Sequence, residues 1–385
     1  MDKNVASLTV KLAGSTSIKT DAGDNLETRA GEGIVSVSVD LRLDQPDMFS
    51  VEYDMMKLEK LNLIDSFKPG AEVEIGIGLE KQETLLHGEI SYIEPSFDVE
   101  QGYHTTISGY HKVHRLTRGQ RSKTWGDGLK PEVSPTTPIK DVINNSKANQ
   151  GGTTSDKMSA GDVGSTEVKH HYVPQLNVSD FEFLQAIGAS LEMKAGDDGA
   201  TKVTFRKPDP SSAPVMKISR ERSGQGGQSE SGSFLHLNFR LSNVQQYAAV
   251  EVRSWDFVTK KNIVAKVTSS KYNFEGTKGH SDTGTGLWGG GSTGRKFVVV
   301  DQPVNTKAEA EALAQSLFDQ FSMDFLTGEV VLDGNPKCVP GKTIEFEGFG
   351  KAFSGKYLIV AATHTYRPDE GYRTSVSFSR NAKGA

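Results

Sequence analysis

Disulfides, membrane-spanning helices, an export signal and a strong charge of either sign are all missing from this sequence. A single cysteine, Cys338, excludes an intramolecular bridge, so the chain folds in a reducing compartment or needs no bridge. Its setting, Asn335-Pro336-Lys337-Cys338-Val339-Pro340-Gly341, leads into a turn and reads as a small buried side chain rather than a nucleophile. No apolar run reaches the ~18 residues of a spanning helix. The amino-terminal MDKNVASLTVKL holds no apolar signal core, so Sec-type export is not expected. Lys and Arg number 44, Asp and Glu 49, and the net charge is -5, which argues against nucleic-acid binding through bulk charge.

Motifs that carry chemistry are scarce as well. No His-Glu-x-x-His and no Gly-x-Ser-x-Gly occurs, and the glycine-rich 286–294 lacks the Lys-Ser/Thr ending of a phosphate loop. His111 and His114 stand three apart, and His170 and His171 are adjacent. On a strand both spacings split the pair across opposite faces, so structural histidines are expected rather than metal ligands. Glu94, Asp98 and Glu100 gather at a hairpin end, as solvated charges do, not as the facing carboxylates of a glycosidase. The basic run His111 to Lys123 reads as a solvated strand end and turn rather than a phosphate patch. No catalytic, cofactor-binding or metal-ligating residue is therefore assigned, and no enzyme is expected.

What is present is β-structure. With 385 residues the chain is long enough for two or three domains. Residues 33–43 alternate, with Val35, Val37, Val39, Leu41 and Leu43 on one face. Further strands are predicted at 49–55, 71–79, 85–98 and 103–115, so 1–120 reads as one β-domain. A helix follows from Thr137-Pro138 with Ile139, Val142 and Ile143 inward. Another starts at Ser179, capped by Ser179 and Glu182, with Phe181, Leu184, Ile187 and Leu191 as its stripe. A strand pair turning at Asp197-Asp198-Gly199 completes an α+β unit over 121–233. Residues 234–385 return to strands and carry a helix over 307–325, capped by Thr306 and Glu309, with Ala310, Leu313, Leu317 and Phe321 apolar. Three Gly/Ser-rich stretches, 150–166, 221–233 and 275–295, bury too little apolar surface to offset ordering entropy and read as loops. Trp288 in the third is either a docking anchor or a plug into its own domain.

One pattern occurs twice. KPGAEVEIGIG and the hairpin after it correspond to VPGKTIEFEGFG and its hairpin. Pro69-Gly70 matches Pro340-Gly341, Gly88 falls roughly at Gly355, and Gly102-Tyr103 matches Gly371-Tyr372. Thr105, Ile107 and Ser108 match Thr374, Val376 and Ser377. Pro-Gly fixes a turn because Pro sets φ and Gly accepts φ > 0. The spacing from Pro to the later Gly is 33 residues in one copy and 31 in the other, which reads as duplication. The fold class expected is mainly β, with two similar β-domains, each a barrel or sandwich, separated by a small α+β domain.

The run Gly109-Tyr110-His111-Lys112-Val113-His114-Arg115-Leu116-Thr117-Arg118-Gly119, with the ending PGKTIEFEGFGKAFSGKYLIVAATHTY, resembles the phage late control D family. That family includes the central hub of contractile tails and is similar to the N-terminal part of type VI secretion spike proteins. The resemblance implies that the two similar domains are tube-type β-barrels, and that three chains with two barrels each make a homotrimeric pseudo-sixfold ring. The ring would mate with a hexameric inner tube or tube-initiator proteins on one side and a trimeric spike on the other. Baseplate wedge proteins would surround it, and a tape measure or cargo would occupy the lumen; acidic lining would suit DNA or acidic cargo. Because the sequence ends about five residues after its last strand, a separate spike protein is expected. Assembly in the bacterial cytoplasm and incorporation into a phage tail or phage-like particle follow from the same resemblance. The alternative is a β-rich carbohydrate- or receptor-binding baseplate module, with Trp255 and Trp288 as stacking surfaces.

Overall fold

A computed structural model describes residues 7–12, 16–19, 33–43, 45–60, 67–78, 83–100, 102–128, 130, 132–145, 158–164, 168–191, 194–197, 202–220, 234–257, 259–272, 274 and 294–383. The first part contains β1 (Ser7–Leu12), β2 (Thr16–Lys19), β3 (Ile34–Arg42), β4 (Met48–Asp54), a short α1 (Met55–Lys60), β5 (Glu72–Gly78), β6 (Glu83–Asp98), β7 (Gly102–His111) and a 3-10 helix (Lys112–Thr117). The middle contains β8 (Arg121–Trp125), α2 (Thr136–Asn145), β9 (Ser159–Val163), β10 (Val173–Val178), α3 (Asp180–Leu191), β11 (Lys194–Asp197), β12 (Lys202–Arg206) and β13 (Pro214–Ser219). The last part contains β14 (Phe234–Leu241), β15 (Ala249–Asp256), β16 (Lys261–Val267), β17 (Lys296–Val299), α4 (Lys307–Met323), β18 (Leu326–Asp333), β19 (Thr343–Glu347), β20 (Gly355–Arg367) and β21 (Gly371–Arg380).

Local rules account for most of these elements. In β3, Val37, Val39 and Leu41 point into the core as the alternation requires, but a bulge between Ile34 and Ser36 puts Ile34, not Val35, inside. Ser179 and Glu182 cap α3 reciprocally: the Glu182 carboxylate accepts from Ser179 N at 2.8 Å and Ser179 Oγ from Glu182 N at 3.1 Å. At α4, Thr306 Oγ1 accepts from Glu309 N, while the Glu309 carboxylate takes the Asn305 amide one residue further back. Two segments take a different secondary structure from the one expected. The strand expected to run to residue 115 stops at His111, where Lys112–Thr117 coil into the 3-10 helix. Part of the expected loop 150–166 is strand β9, which pairs parallel with β12. The β1–β2 hairpin lies in a segment for which no strand was predicted. The turn at 198–200 and all of 221–233 fall outside the described residues, as does nearly all of 275–295.

The duplication is present in the hydrogen-bond register. Strands β3-β4-β7-β6-β5 lie side by side in one unit, and β14-β18-β21-β20-β19 in the other. Gly70 and Gly341 both adopt φ +84°. Gly70 N donates to Ile90 O and Ile90 N to Ala71 O; Gly341 N donates to Ile359 O and Ile359 N to Lys342 O. The bulge between Ile90 and Tyr92 recurs between Ile359 and Ala361. Gly88 takes the place of Tyr357, so Gly355 falls two residues earlier than the sequence pattern suggested.

The two cores are filled in opposite ways. Phe49 on β4 lies over Gly109 and Gly88, its Cε1 2.9 Å from where either Cβ would stand. At the equivalent places the second unit puts Gly328 on β18 beneath Phe378 of β21, with Tyr357 beside it. Each unit thus supplies ring volume from the strand on which the other has glycine, and packing density is kept.

The two units form one continuous sheet. The carboxyl-terminal half of β20 pairs antiparallel with β3, from Ala361 opposite Arg42 to Tyr366 opposite Val37. Tyr366 and Tyr372 of the second unit pack against the first unit's core. A second core in the middle gathers Trp125, Ile139, Leu184 and Phe205, and α4 covers the sheet β16-β15-β17.

The glycine contacts predict a graded outcome. A Cβ at Gly109 would stand 1.9 Å from the Glu89 carbonyl oxygen, whereas at Gly70 nothing lies within 4 Å. Gly109→Ala should destabilise by about 1–3 kcal/mol through overpacking, and Gly70→Ala by about 1–2 kcal/mol through backbone strain alone. Denaturant titration of both variants checks the order.

Candidate assembly surfaces: a hydroxyl-lined wall and two open edges

Four adjacent strands of each unit turn one face to the core and the other outward. The outward face carries Ser36, Ser38, Ser50, Thr106 and Ser108 in the first unit, and Thr363, Thr365, Ser375, Ser377 and Ser379 in the second. Three of its carboxylates are held by these hydroxyls. Ser36 Oγ donates to Glu52 at 3.0 Å, Ser375 Oγ to Glu329 at 2.8 Å, and Thr363 Oγ1 to Asp40 across the joint of the two units. His104 lies 3.7 Å from Glu52. Asp40, Glu52, Asp54, Glu94, Glu329 and Asp333 share the wall with Arg42, Arg240, Arg367 and Arg373, so acids outnumber arginines. At one end a cavity of about 700 Å³ lies between the wall and α4, lined by Arg42, Arg240, Asp324 and Glu329 among others.

Within the two five-stranded units, two strand edges lack a partner among the described residues. One is the outer edge of β14. The other is β6 beyond Ile90, which pairs with β7 on one side while β5 has ended on the other. Tyr92, Phe97, Val99 and Tyr103 are exposed around the latter, and Leu235, Leu241 and Val244 around the former.

The basic run after β7 serves a structural purpose. Glu72 and Glu89 stand directly opposite each other on β5 and β6, a pairing that like charges disfavour. The 3-10 helix brings cations to both: Lys112 Nζ lies 2.5 Å from Glu72, while Arg115 and Arg118 hold Glu89. His111 caps this helix by accepting from Val113 N, and His114 stacks on Tyr110. His170 turns toward Glu309 at 3.6 Å and ties the middle of the chain to α4. Cys338 is buried, and burial pushes its thiol up to about 12. Trp255 is 43% exposed on β15; Trp288 and the glycine-rich 286–293 lie outside the described residues. Among the described residues no cluster of three or more His, Cys, Asp or Glu is gathered as metal ligands. No described helix is long and apolar enough to cross a membrane.

Sequence reasoning passed over His364, which is fully buried beside the joint and faces Val39 of β3. Its Nε2–H donates to the Cys338 carbonyl at 3.1 Å, which leaves Nδ1 to accept from the Tyr372 hydroxyl at 2.8 Å. Burial drives its pKa down to about 4.

The fold is that of tail proteins. It matches the tail protein from Neisseria meningitidis MC58 with TM-score 0.66 at 10% identity, covering 98% of this chain and 97% of that one. It matches the 43 kDa tail protein of prophage MuSo2 from Shewanella oneidensis with TM-score 0.65 at 13% identity, covering 98% of each. An E. coli type VI secretion component, described as structurally similar to the T4 tail proteins gp27 and gp5, matches with TM-score 0.54 at 9% identity over 98% of this chain and 78% of that one. The family model described as the Alg8 N-terminal domain matches residues 56–367, and the chain belongs to that family. No curated protein matches the sequence. The late control D name is not carried by these matches; the tail-protein fold it implied is.

Two outcomes follow. The unfolded chain binds the His364 proton more tightly than the folded one, so stability rises with pH from about 4 to 6.5 and is lost as pH falls through that window. The loss amounts to about 3 kcal/mol. His364→Gln should flatten that part of a pH–stability curve measured by urea unfolding. Glu89→Ala, which takes the carboxylate from Arg115 while Glu72 keeps Lys112, should cost about 3 kcal/mol in the same assay.

Proposed function

We propose that this chain is the structural central hub of a contractile phage tail or phage-like injection system. Three chains form a ring, and their two similar units each give six tube-like positions around one axis. One side of the ring meets a hexameric inner tube or its initiator proteins and the other a trimeric spike, with wedge proteins outside. The observation that carries this reading is the joining of two copies of one five-stranded unit, edge to edge, through β20 and β3. A duplication with no assembly role has no need to present both copies in one continuous sheet.

On this reading, 1–120 and 234–385 are tube-type barrel units and 121–233 is an insertion between them, whose last strand, β13, pairs parallel with β19 and packs in the second unit's core. The hydroxyl-lined face is the lumen wall. Serine and threonine give it small, neutral, wettable positions, and its excess of carboxylates repels DNA or other acidic cargo enough to prevent sticking. A tape measure or cargo would pass along it. The role is structural and non-enzymatic, and the particle assembles in the bacterial cytoplasm. The tail proteins that share this fold support the setting.

Light scattering on size-exclusion fractions tests the ring. A species of three 41.8 kDa chains, formed alone or with the spike, is expected. A chain that stays monomeric at every concentration and in the presence of spike and tube proteins would overturn the reading.

A further inference from the structure

The joint inside the chain has an unfilled counterpart on its outside. The shared registers equate β20 residues 361–366 with β6 residues 92–97, and β3 residues 37–41 with β14 residues 237–241. Where the joint is made, its apolar residues are covered: Leu41 is 4% exposed and Tyr372 4%. Their counterparts are bare: Leu241 is 44% exposed and Tyr103 46%. Phe97, which corresponds to Tyr366, is 64% exposed and rests only against Tyr103, with ring centroids 5.5 Å apart, among ring contacts of the described residues.

The polar positions correspond too. Inside the chain Thr363 faces Asp40 and donates to it. The counterparts are Glu94 on β6 and Arg240 on β14, opposite charges, neither of which has a salt bridge among the described residues. Two edges that carry the same unit's two complementary sides, bare apolar rows and matched opposite charges, fit each other rather than an unrelated strand.

We propose that β6 of one chain pairs antiparallel with β14 of a second copy of this chain. In this register Glu94 faces Arg240, Ile93 faces Leu241 and Phe97 faces Leu237. The inference rests on the ring reading and specifies how the ring closes: three joints of this kind alternate with the three internal ones. Pro95 stands where His364 stands, so this edge offers one N–H fewer than the internal joint. That makes the contact between chains the weaker of the two kinds and guards the isolated edge against random strand pairing.

Charge exchange tests the register. Glu94→Arg and Arg240→Glu should each lose the trimer in light scattering at concentrations where the unaltered chain keeps it, with far-ultraviolet dichroism unchanged because both residues are on the surface. The double exchange should regain it. In parallel, Ser96→Cys with Asn238→Cys should cross-link chains under oxidation, and Ser96→Cys with Arg240→Cys should not. Trimeric single variants, or a double variant that fails to recover, or cross-linking only in the second pair, would overturn the register while leaving the ring reading intact. A chain that is never trimeric would overturn both.

Discussion

The pairing of β20 with β3 is the contact on which the rest of the molecule depends. It joins segments more than 300 residues apart and turns two similar units into a single sheet with a core on one side and a polar wall on the other. Closing so long a loop costs entropy, and the joint answers with several compensations at once. Val37, Val39 and Leu41 are buried, Tyr366 and Tyr372 reach into the neighbouring core, Thr363 donates to Asp40, and His364 is held neutral between Cys338 and Tyr372. An acid-sensitive group at this point couples the stability of the joint to pH.

The duplicated units show how one backbone accommodates divergent sequences. What is kept is backbone geometry: a Pro-Gly turn with φ +84° and a bulge one strand away. What is not kept is the location of bulk. Phe49 fills the space that Gly88 and Gly109 leave open, and Phe378 with Tyr357 fills the space above Gly328. The same economy appears at the surface. The carboxyl-terminal half of β6 is the strand that, as β20, would have been covered, and its aromatic residues are exposed for want of a neighbour.

Much of this was legible from residue order. The strands of both copies, the capping pairs Ser179–Glu182 and Thr306–Glu309, and the matching turns follow from alternation, spacing and turn chemistry, which are local. The buried positions of α2, Ile139, Val142 and Ile143, follow from a 3.6-residue period. Features set by distant partners were not legible. No local pattern says that β3 should choose β20, so His364 read as an ordinary strand residue. Strand β7 ends at His111 because Glu72 and Glu89 face each other and draw in Lys112, Arg115 and Arg118, a charge arrangement that exists only after folding. The shift of Gly88 against Gly355 arose because turn glycines were aligned by order, whereas the sheet aligns residues by hydrogen bonds.

In the proposed ring, internal and external joints of the same architecture alternate around three chains. A cryo-electron microscopy reconstruction of the assembled protein, refined with threefold symmetry, tests it most directly. One uninterrupted β-wall around the lumen is expected, with β20–β3 and β6–β14 contacts alternating and the serine-rich face inward. A particle whose units meet through other faces, or whose wall turns the apolar side of these strands to the lumen, would contradict it.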